Sequence, residues 1–252
     1  MLKEKIRMYL TLCKKENIVN YKKLKAFKKQ YDGKRCWIIG NGPSLKADDL
    51  DLIAGEYSFA ANRIYYIFEK TGWRPSFYMC QDPRAIENVL QDTISEKEEL
   101  NSSTIFVSKV LSKRANEFFH NSISYRLCKS DDPRDINISL NVPVYFVEGL
   151  SVTYSMIQMA MYMGFKEICL LGVDHNQNTA NAKNMNDLHF DKRYKIDIKD
   201  YPSVTEYEYL TNCFNKANQE CKRRGIRIYN ATRGGVLEAF ERKSVEEILE
   251  SK

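Results

Sequence analysis

Several signatures are missing from this chain of 252 residues, and each absence removes a class of function. No Cys-x-x-Cys pair occurs among the seven cysteines (13, 36, 80, 128, 169, 213 and 221), which argues against a zinc site. The cysteines are scattered and odd in number, and most sit in apolar segments. They read as reduced thiols in a cytoplasmic protein rather than a disulfide framework. The longest apolar run, Ile168 to Val173, is strand-sized and far short of the roughly 20 residues of a membrane span. The N-terminus has charge but no apolar segment or cleavage site, so no secretory signal is read there. No Gly-Lys-Ser/Thr follows a glycine-rich turn, which excludes a P-loop. Histidine is scarce, with three in the chain, so each one is a candidate for scrutiny.

What is present is concentrated at Arg35–Leu45, Arg-Cys-Trp-Ile-Ile-Gly-Asn-Gly-Pro-Ser-Leu. A buried strand, Cys36–Ile39, runs into a tight turn of Gly40, Asn41, Gly42, Pro43 and Ser44. Glycine allows close approach of the main chain to a ligand. Pro43 fixes one torsion and removes an N–H. Ser44 is expected to N-cap a following helix, whose free N–H groups attract phosphate. The third glycine of the dinucleotide fingerprint is missing, so a nucleotide site is expected without the usual dinucleotide pattern.

The net charge of +6 is uneven. Residues 1–35 carry twelve Lys/Arg against three Asp/Glu, which leaves the remainder about three units acidic. Residues 1–30 read as a basic helical segment, in two pieces broken near Asn17 to Asn20. Ile6, Leu10 and Cys13 lie on one face with Tyr9 beside them. Such a helix can lie on an anionic membrane face, dock on its own domain, or dock on a second subunit in a homo-oligomer. Nucleic acid is not expected, because aromatic residues do not interleave with the basic ones as a stacking platform requires.

Residues 31–252 alternate strand and helix patterns. Strands are expected at Cys36–Ile39, Tyr57–Ala61, Ser76–Cys80, Thr104–Val107, Ser122–Leu127, Val144–Val147 (an edge), Glu167–Gly172 and Ile226–Tyr229. Helices are expected at Ala47–Ile53, Tyr65–Lys70, Pro83–Asp92, Lys109–Phe119, Val152–Met163, Thr205–Arg224 and Ser244–Glu250. The Met-rich helix ending at Gly164 reads as core. The polar stretch of about 176–200 reads as a lid. The fold expected is α/β and Rossmann-like, a mostly parallel sheet with helices on both faces. Ligands in such sheets bind beyond the carboxyl ends of strands. Residues there are Gly40–Ser44, Asn62, Gln81, Asp82, Glu148–Thr153, Asp174, His175 and Asn230–Gly235.

The blocks Ile-Ile-Gly40-Asn-Gly-Pro-Ser-Leu, Ala-Asn62-Arg, Gly164-Phe-Lys-Glu-Ile-Cys-Leu-Leu-Gly-Val-Asp174, Ile226-Arg-Ile-Tyr-Asn-Ala and Gly235-Val-Leu-Glu-Ala-Phe240 resemble bacterial sialyltransferases that use CMP-activated sialic acid. They also resemble the wider group of flagellin-modifying and polysaccharide-cluster proteins with an MptE-like domain, named after a 6-hydroxymethylpterin diphosphokinase. The resemblance implies that Asn41, Gly42 and Ser44 contact the activated phosphate and ribose, with Asn62 beside the donor. It places Asp82 where the sialyltransferases have a donor-touching asparagine, and Ser151, Val152 and Thr153 over the nucleotide. In those enzymes two tyrosines bind the leaving phosphate and a histidine is the base. Here Asn176 and Phe190 fall near the tyrosine positions and Arg193 falls near the base.

Among the remaining groups, His120 reads as structural, and His175 and His189 as candidate bases. Asp174 is a candidate to orient His175 or bind magnesium. Lys192, Arg193 and Arg233 are candidates for a leaving phosphate. Three functions follow. The first is a glycosyltransferase of bacterial surface glycans. It moves a sugar, a nonulosonate, from a CMP-type donor to a glycan or lipid-linked acceptor, needs no cofactor, and is cytoplasmic or peripheral on the inner membrane face. The second is a diphosphokinase, passing pyrophosphate from ATP to a small alcohol with magnesium between Asp82 and Asp174. The third is a non-catalytic interaction module.

Overall fold

A computed structural model describes residues 15–128, 136, 138–176, 188–194 and 202–251. The apolar face expected at Ile6, Tyr9, Leu10 and Cys13 lies outside these residues, as does most of the expected lid. The sheet has eight strands: β1 (Arg35–Ile39), β2 (Tyr57–Ala61), β3 (Phe77–Cys80), β4 (Thr104–Ser108), β5 (Ile123–Tyr125), β8 (Glu167–Leu171), β9 (Arg227–Asn230) and β10 (Glu241–Arg242). Two short strands, β6 (Leu127–Cys128) and β7 (Phe146–Val147), pair apart from it. Every pairing among the described residues is parallel. The order is β10-β9-β8-β1-β2-β3-β4-β5, so the chain winds outward from β1 to β5 and then crosses to the other side for β8. The switch point between β1 and β8 is where open parallel sheets form a ligand crevice.

Strand alternation explains the two layers. Cys36 and Ile38 of β1 face one core with Phe59 and Ala61, and Trp37 and Ile39 face the other with Ala60 and Tyr78. The first layer is covered by α1 (Lys15–Ala26), α5 (Val152–Met163) and α6 (Val204–Arg223). The second is covered by α2 (Ala47–Leu52), a 3-10 helix over Ile64–Lys70, α3 (Pro83–Gln91), α4 (Ser112–Ala115) and α7 (Val245–Glu250). Residues Thr153 to Met163 of α5 are all buried, so its methionines pack as core. Gly164 closes that helix in the left-handed region at φ +94°. One polar side chain inside it, Gln158, is satisfied by the N–H groups of Ser139 and Val147 and the carbonyl of Val147. It thereby latches residues 139–147 onto the helix.

Local structure departs from the sequence expectations where tertiary contacts override pattern. Helix α1 runs through Asn17–Asn20 without a break. Asn20 is retained there because its amide pairs with Ser124 of edge strand β5, accepting from the Ser124 N–H (2.9 Å) and donating to its carbonyl. It thus covers part of an open sheet edge. Leu24 is core, and Lys29, Tyr31 and Gly33 donate N–H groups to the carbonyls of Tyr162, Met163 and Gly164. Residues 109–119 form a 3-10 turn (Lys109–Leu111) and the short α4, because Phe119 turns inward onto Tyr78. Residues 122–127 split between β5 and β6, and the strand expected at 144–147 pairs with β6. The 3-10 helix Ser95–Ser102 and strand β10 have no apolar periodicity to announce them.

Asn20→Ala removes two hydrogen bonds from a partly buried site and is expected to cost about 1–2 kcal/mol. Urea unfolding should show a lower midpoint at unchanged slope; an unmoved midpoint would mean that α1 does not stabilise the edge strand.

Candidate active-site cleft

The exits of β1 and β8 are pinned together. The Gly40 N–H donates to the Leu171 carbonyl (2.8 Å) and the Gly42 N–H to that of Gly172 (2.9 Å). A Cβ on Gly42 would lie 1.8 Å from Asp174 Oδ2, and one on Gly40 would lie 2.3 Å from the Gly172 oxygen. These glycines are therefore demanded by protein packing. Ser44 does not cap α2; its hydroxyl donates to Asp174 Oδ2 (2.8 Å), and Lys46 takes the cap position with no side-chain hydrogen bond. Burial raises the Asp174 carboxyl above its usual range while the Ser44 hydrogen bonds oppose this.

Beyond these exits lies a cleft of about 930 Å³. Gly40, Asn41 and Gly42 line it at β1, Asn62 and Arg63 at β2, and Gln81 and Asp82 at β3. Ser151, Val152 and Thr153 line it at the start of α5, and Asp174, His175 and Asn176 at β8. His189 and Tyr194 complete it from the described part of the 176–200 segment. Pro43, Ser44 and Arg193 stand outside the lining, and His120 is exposed elsewhere. The rim expected at Asn230–Gly235 also turns away. Asn230 binds the Leu237 carbonyl and the Thr232 N–H, Thr232 accepts from the Val173 N–H, and Gly235 packs on the Asp174 backbone.

Charged candidates are largely engaged in structure. Arg193 grips Asp191 (2.7 Å), Glu69 (2.8 Å) and the Tyr66 carbonyl (3.0 Å), and its guanidinium lies over the Tyr66 ring. It braces the segment and stands outside the cleft lining, apart from the place expected of a base or phosphate ligand. Arg233 forms an ion pair with buried Asp49, and Lys192 is exposed away from the lining. Arg63, absent from the sequence-based candidates, lines the cleft and is paired with Asp92 (3.0 Å), which also accepts from the Tyr65 and Tyr66 hydroxyls.

His189 is the best-defined titratable group. Its Nδ1 lies 3.1 Å from the Asn41 carbonyl, which can only accept, so Nδ1 carries the proton and Nε2 keeps its lone pair. The ring stacks on Tyr194 at 4.0 Å. Burial, aided by the charge of Arg63, lowers its pKa to about 4 despite the opposing Asn41 hydrogen bond. Asn41 donates through Nδ2 to the Ala61 carbonyl (3.1 Å). The side chain of Asn62 hydrogen-bonds the Tyr194 hydroxyl, whose pKa burial pushes up to about 12. Three buried acceptors remain without a protein partner: Asn41 Oδ1, Asn62 Oδ1 and His189 Nε2. An unsatisfied buried polar atom costs about 1–3 kcal/mol, and all three belong to residues that line the cleft.

A metal fits poorly here. Among the described residues no three His, Cys, Asp or Glu side chains gather to hold one. Asp82 Oδ1 caps α3 by accepting from the N–H groups of Arg84 and Ala85, and Asp174 Oδ2 accepts from Ser44. The two carboxylates proposed to bridge magnesium thus already serve backbone turns. Among the described residues the cysteines are free thiols, and no helix is long and apolar enough to cross a membrane.

Fold and cleft define a class: a Rossmann-like α/β protein with a polar pocket at the strand carboxyl ends, the architecture also found in glycosyltransferases of known structure. The chain belongs to the MptE-like family, described as 6-hydroxymethylpterin diphosphokinase MptE-like, whose model matches residues 13–179. It is similar in fold to the MAf glycosyltransferase from Magnetospirillum magneticum AMB-1, at 17% identity and a TM-score of 0.55 over 91% of this chain. It spans 38% of that protein's length. A variant of the sialyltransferase CST-II, from Campylobacter jejuni, in complex with CMP matches at 18% identity and a TM-score of 0.50, over 84% of this chain and 86% of that one. No curated protein sequence matches.

The residues that sequence reasoning missed were Arg63, which directly follows Asn62, and Tyr194, the one tyrosine among residues 188–194. Gly42→Ala is expected to destabilise the fold by about 2 kcal/mol, because the added methyl would overlap the Asp174 carboxylate and lie 2.8 Å from the backbone oxygen of Gly172. The double substitution with Asp174→Ala should recover part of that loss in thermal melts; no recovery would place the strain elsewhere. The histidines add a pH dependence. His175 and His189 have pKa values near 4 in the fold against 6.5 in an unfolded chain. Between those values the unfolded state binds more protons, so stability falls as pH drops through that window. His189 should contribute a slope approaching about 1.4 kcal/mol per pH unit, with a smaller, solvent-screened share from His175. Melting temperature measured from pH 7 to 4 checks this, with His189→Gln flattening the curve.

Proposed function

We propose that this chain is a glycosyltransferase that moves a nonulosonate from a CMP-type donor to a hydroxyl of a glycan or lipid-linked acceptor in bacterial surface-glycan biosynthesis. The observation that carries the reading is the meeting of Asn41 Oδ1, Asn62 Oδ1 and His189 Nε2 as buried, unpartnered acceptors in one cleft. Such a set suits the hydroxyl and amino donors of a nucleoside and a sugar. His189 Nε2 takes the proton of the acceptor hydroxyl, the oxygen attacks the anomeric carbon, and the bond from that carbon to the phosphate oxygen breaks. The departing CMP carries the electron pair on its phosphate, beside the Tyr194 hydroxyl and the Arg63 guanidinium. Ser151, Val152 and Thr153 cover the nucleotide, with Gln81 and Asp82 at its edge. The basic residues of 1–30 hold the enzyme against an anionic inner membrane face, near its acceptor.

The family description favours a second reading, pyrophosphoryl transfer from ATP, against which stands the poor fit of Asp82 and Asp174 to the magnesium it would need. Thermal shift separates the two. CMP at a hundredfold its Kd should stabilise the protein by about 2.7 kcal/mol, with or without EDTA. Stabilisation by ATP with magnesium and not by CMP would overturn the glycosyltransferase; no response to any nucleotide would favour the interaction module. His189→Gln should lose about a hundredfold or more in turnover, measured at saturating donor.

A further inference from the structure

The cleft has two walls of different character. One is the Asn41, Asn62, Arg63, His189 and Tyr194 wall already described. The other is built by α6 against the exit of β8. Glu206, Leu210 and Phe214 recur at spacing four, so one helix face supplies them, and Glu148, Leu150 and His175 complete the surface. A cleft of about 930 Å³ is at the upper end for a ligand pocket and has room for two substrates.

His175 is the centre of this second wall. Its backbone sits in the left-handed region at φ +54°, a conformation that costs a non-glycine residue energy and is retained only when its surroundings enforce it. The enforcement is visible. The Tyr207 hydroxyl donates to the His175 carbonyl (2.6 Å), and the ring stacks on Tyr207 at 4.3 Å with Phe214 at its edge. Nε2 lies 2.7 Å from Thr211 Oγ1. The Thr211 proton is directed to the Tyr207 carbonyl (2.9 Å), so its oxygen accepts from His175, and the histidine carries its proton on Nε2. Nδ1 is left as an acceptor, on a residue that lines the cleft.

We propose that this wall is the acceptor subsite and takes a neutral or cationic glycoside, one hydroxyl of which donates to His175 Nδ1. The inference rests on the glycosyltransferase reading for its assignment of the opposite wall to the nucleotide. Leu150 and Leu210 offer apolar surface to a sugar face. The wall carries two carboxylates, Glu148 and Glu206, the latter also accepting from the Ser203 N–H and hydroxyl at the start of α6, while the described arginines of the lining, Arg63 and Arg84, come from the β2 exit and from α3. A uronate or a phosphorylated sugar would meet like charge there.

The test is nitrogen-15 NMR of the histidine rings in the full chain, titrated with CMP and with three p-nitrophenyl glycosides: a β-galactoside, a glucosaminide with a free amine, and a glucuronide. At pH 7 the His175 signal should report a proton on Nε2 and none on Nδ1. It should move with the galactoside and the glucosaminide, and at least tenfold more weakly with the glucuronide. Thr211→Val should scramble the tautomer and weaken glycoside binding about tenfold, with the CMP titration unchanged. A proton on Nδ1, equal affinity for the glucuronide, no response to any glycoside, or undiminished glycoside binding in Thr211→Val would each overturn the subsite. Failure of CMP to bind, with the glycoside response at His175 intact, would instead remove the nucleotide reading and keep this wall as a glycoside site.

Discussion

Gly42 can carry no side chain because the Asp174 carboxylate occupies that space, and the rest of the cleft follows from this contact. Two backbone hydrogen bonds and the Ser44–Asp174 bond extend the pairing of β1 and β8 past the ends of the strands. The turn after β1 is therefore held on one side by the neighbouring strand exit. Asn41 is presented on the other side. Its carbonyl accepts from His189 Nδ1 and from the Phe190 N–H, so the described part of the 176–200 segment takes its position from that same turn.

Neutral polar groups and carboxylates dominate the cleft, with Arg63 and Arg84 as the arginines among its described lining residues. Arg193 and Arg233 lie outside its lining and are committed to carboxylates, and Arg63 within it is paired with Asp92. The two histidines are held neutral by burial, and each has its proton placed by an accepting oxygen: the Asn41 carbonyl, which has no proton to give, for His189, and the Thr211 hydroxyl, whose own proton goes to the Tyr207 carbonyl, for His175. The lone pairs that remain, at His189 Nε2 and His175 Nδ1, belong to opposite walls.

Much of the architecture was legible in the residues. Alternation of apolar strands with amphipathic segments announced a parallel α/β sheet, and β1, β2, β3, β4, β8 and β9 fall close to their expected places. The periodic helices α3, α5 and α6 were equally plain. Strand β10 and the 3-10 helix over Ser95–Ser102 were not, since both are short, polar and stabilised by neighbours. Asn17–Asn20 looked like a break because asparagine disfavours helices, yet Asn20 has a partner one hundred and four residues away.

The sequence by itself determined the fold class and the carboxyl-end rim of the sheet, because strand periodicity and turn residues are local properties of the chain. It also singled out Gly40–Gly42, Asn62 and His189, which the structure places in the lining of the cleft. Tertiary structure alone decided why those glycines are required, that Ser44 serves Asp174 and not a helix, that Arg193 faces away, and that Tyr194 and Arg63 belong to the cleft. Such choices depend on which groups meet across the crossover from β5 to β8, and no local pattern encodes the partner of a side chain more than a hundred residues distant.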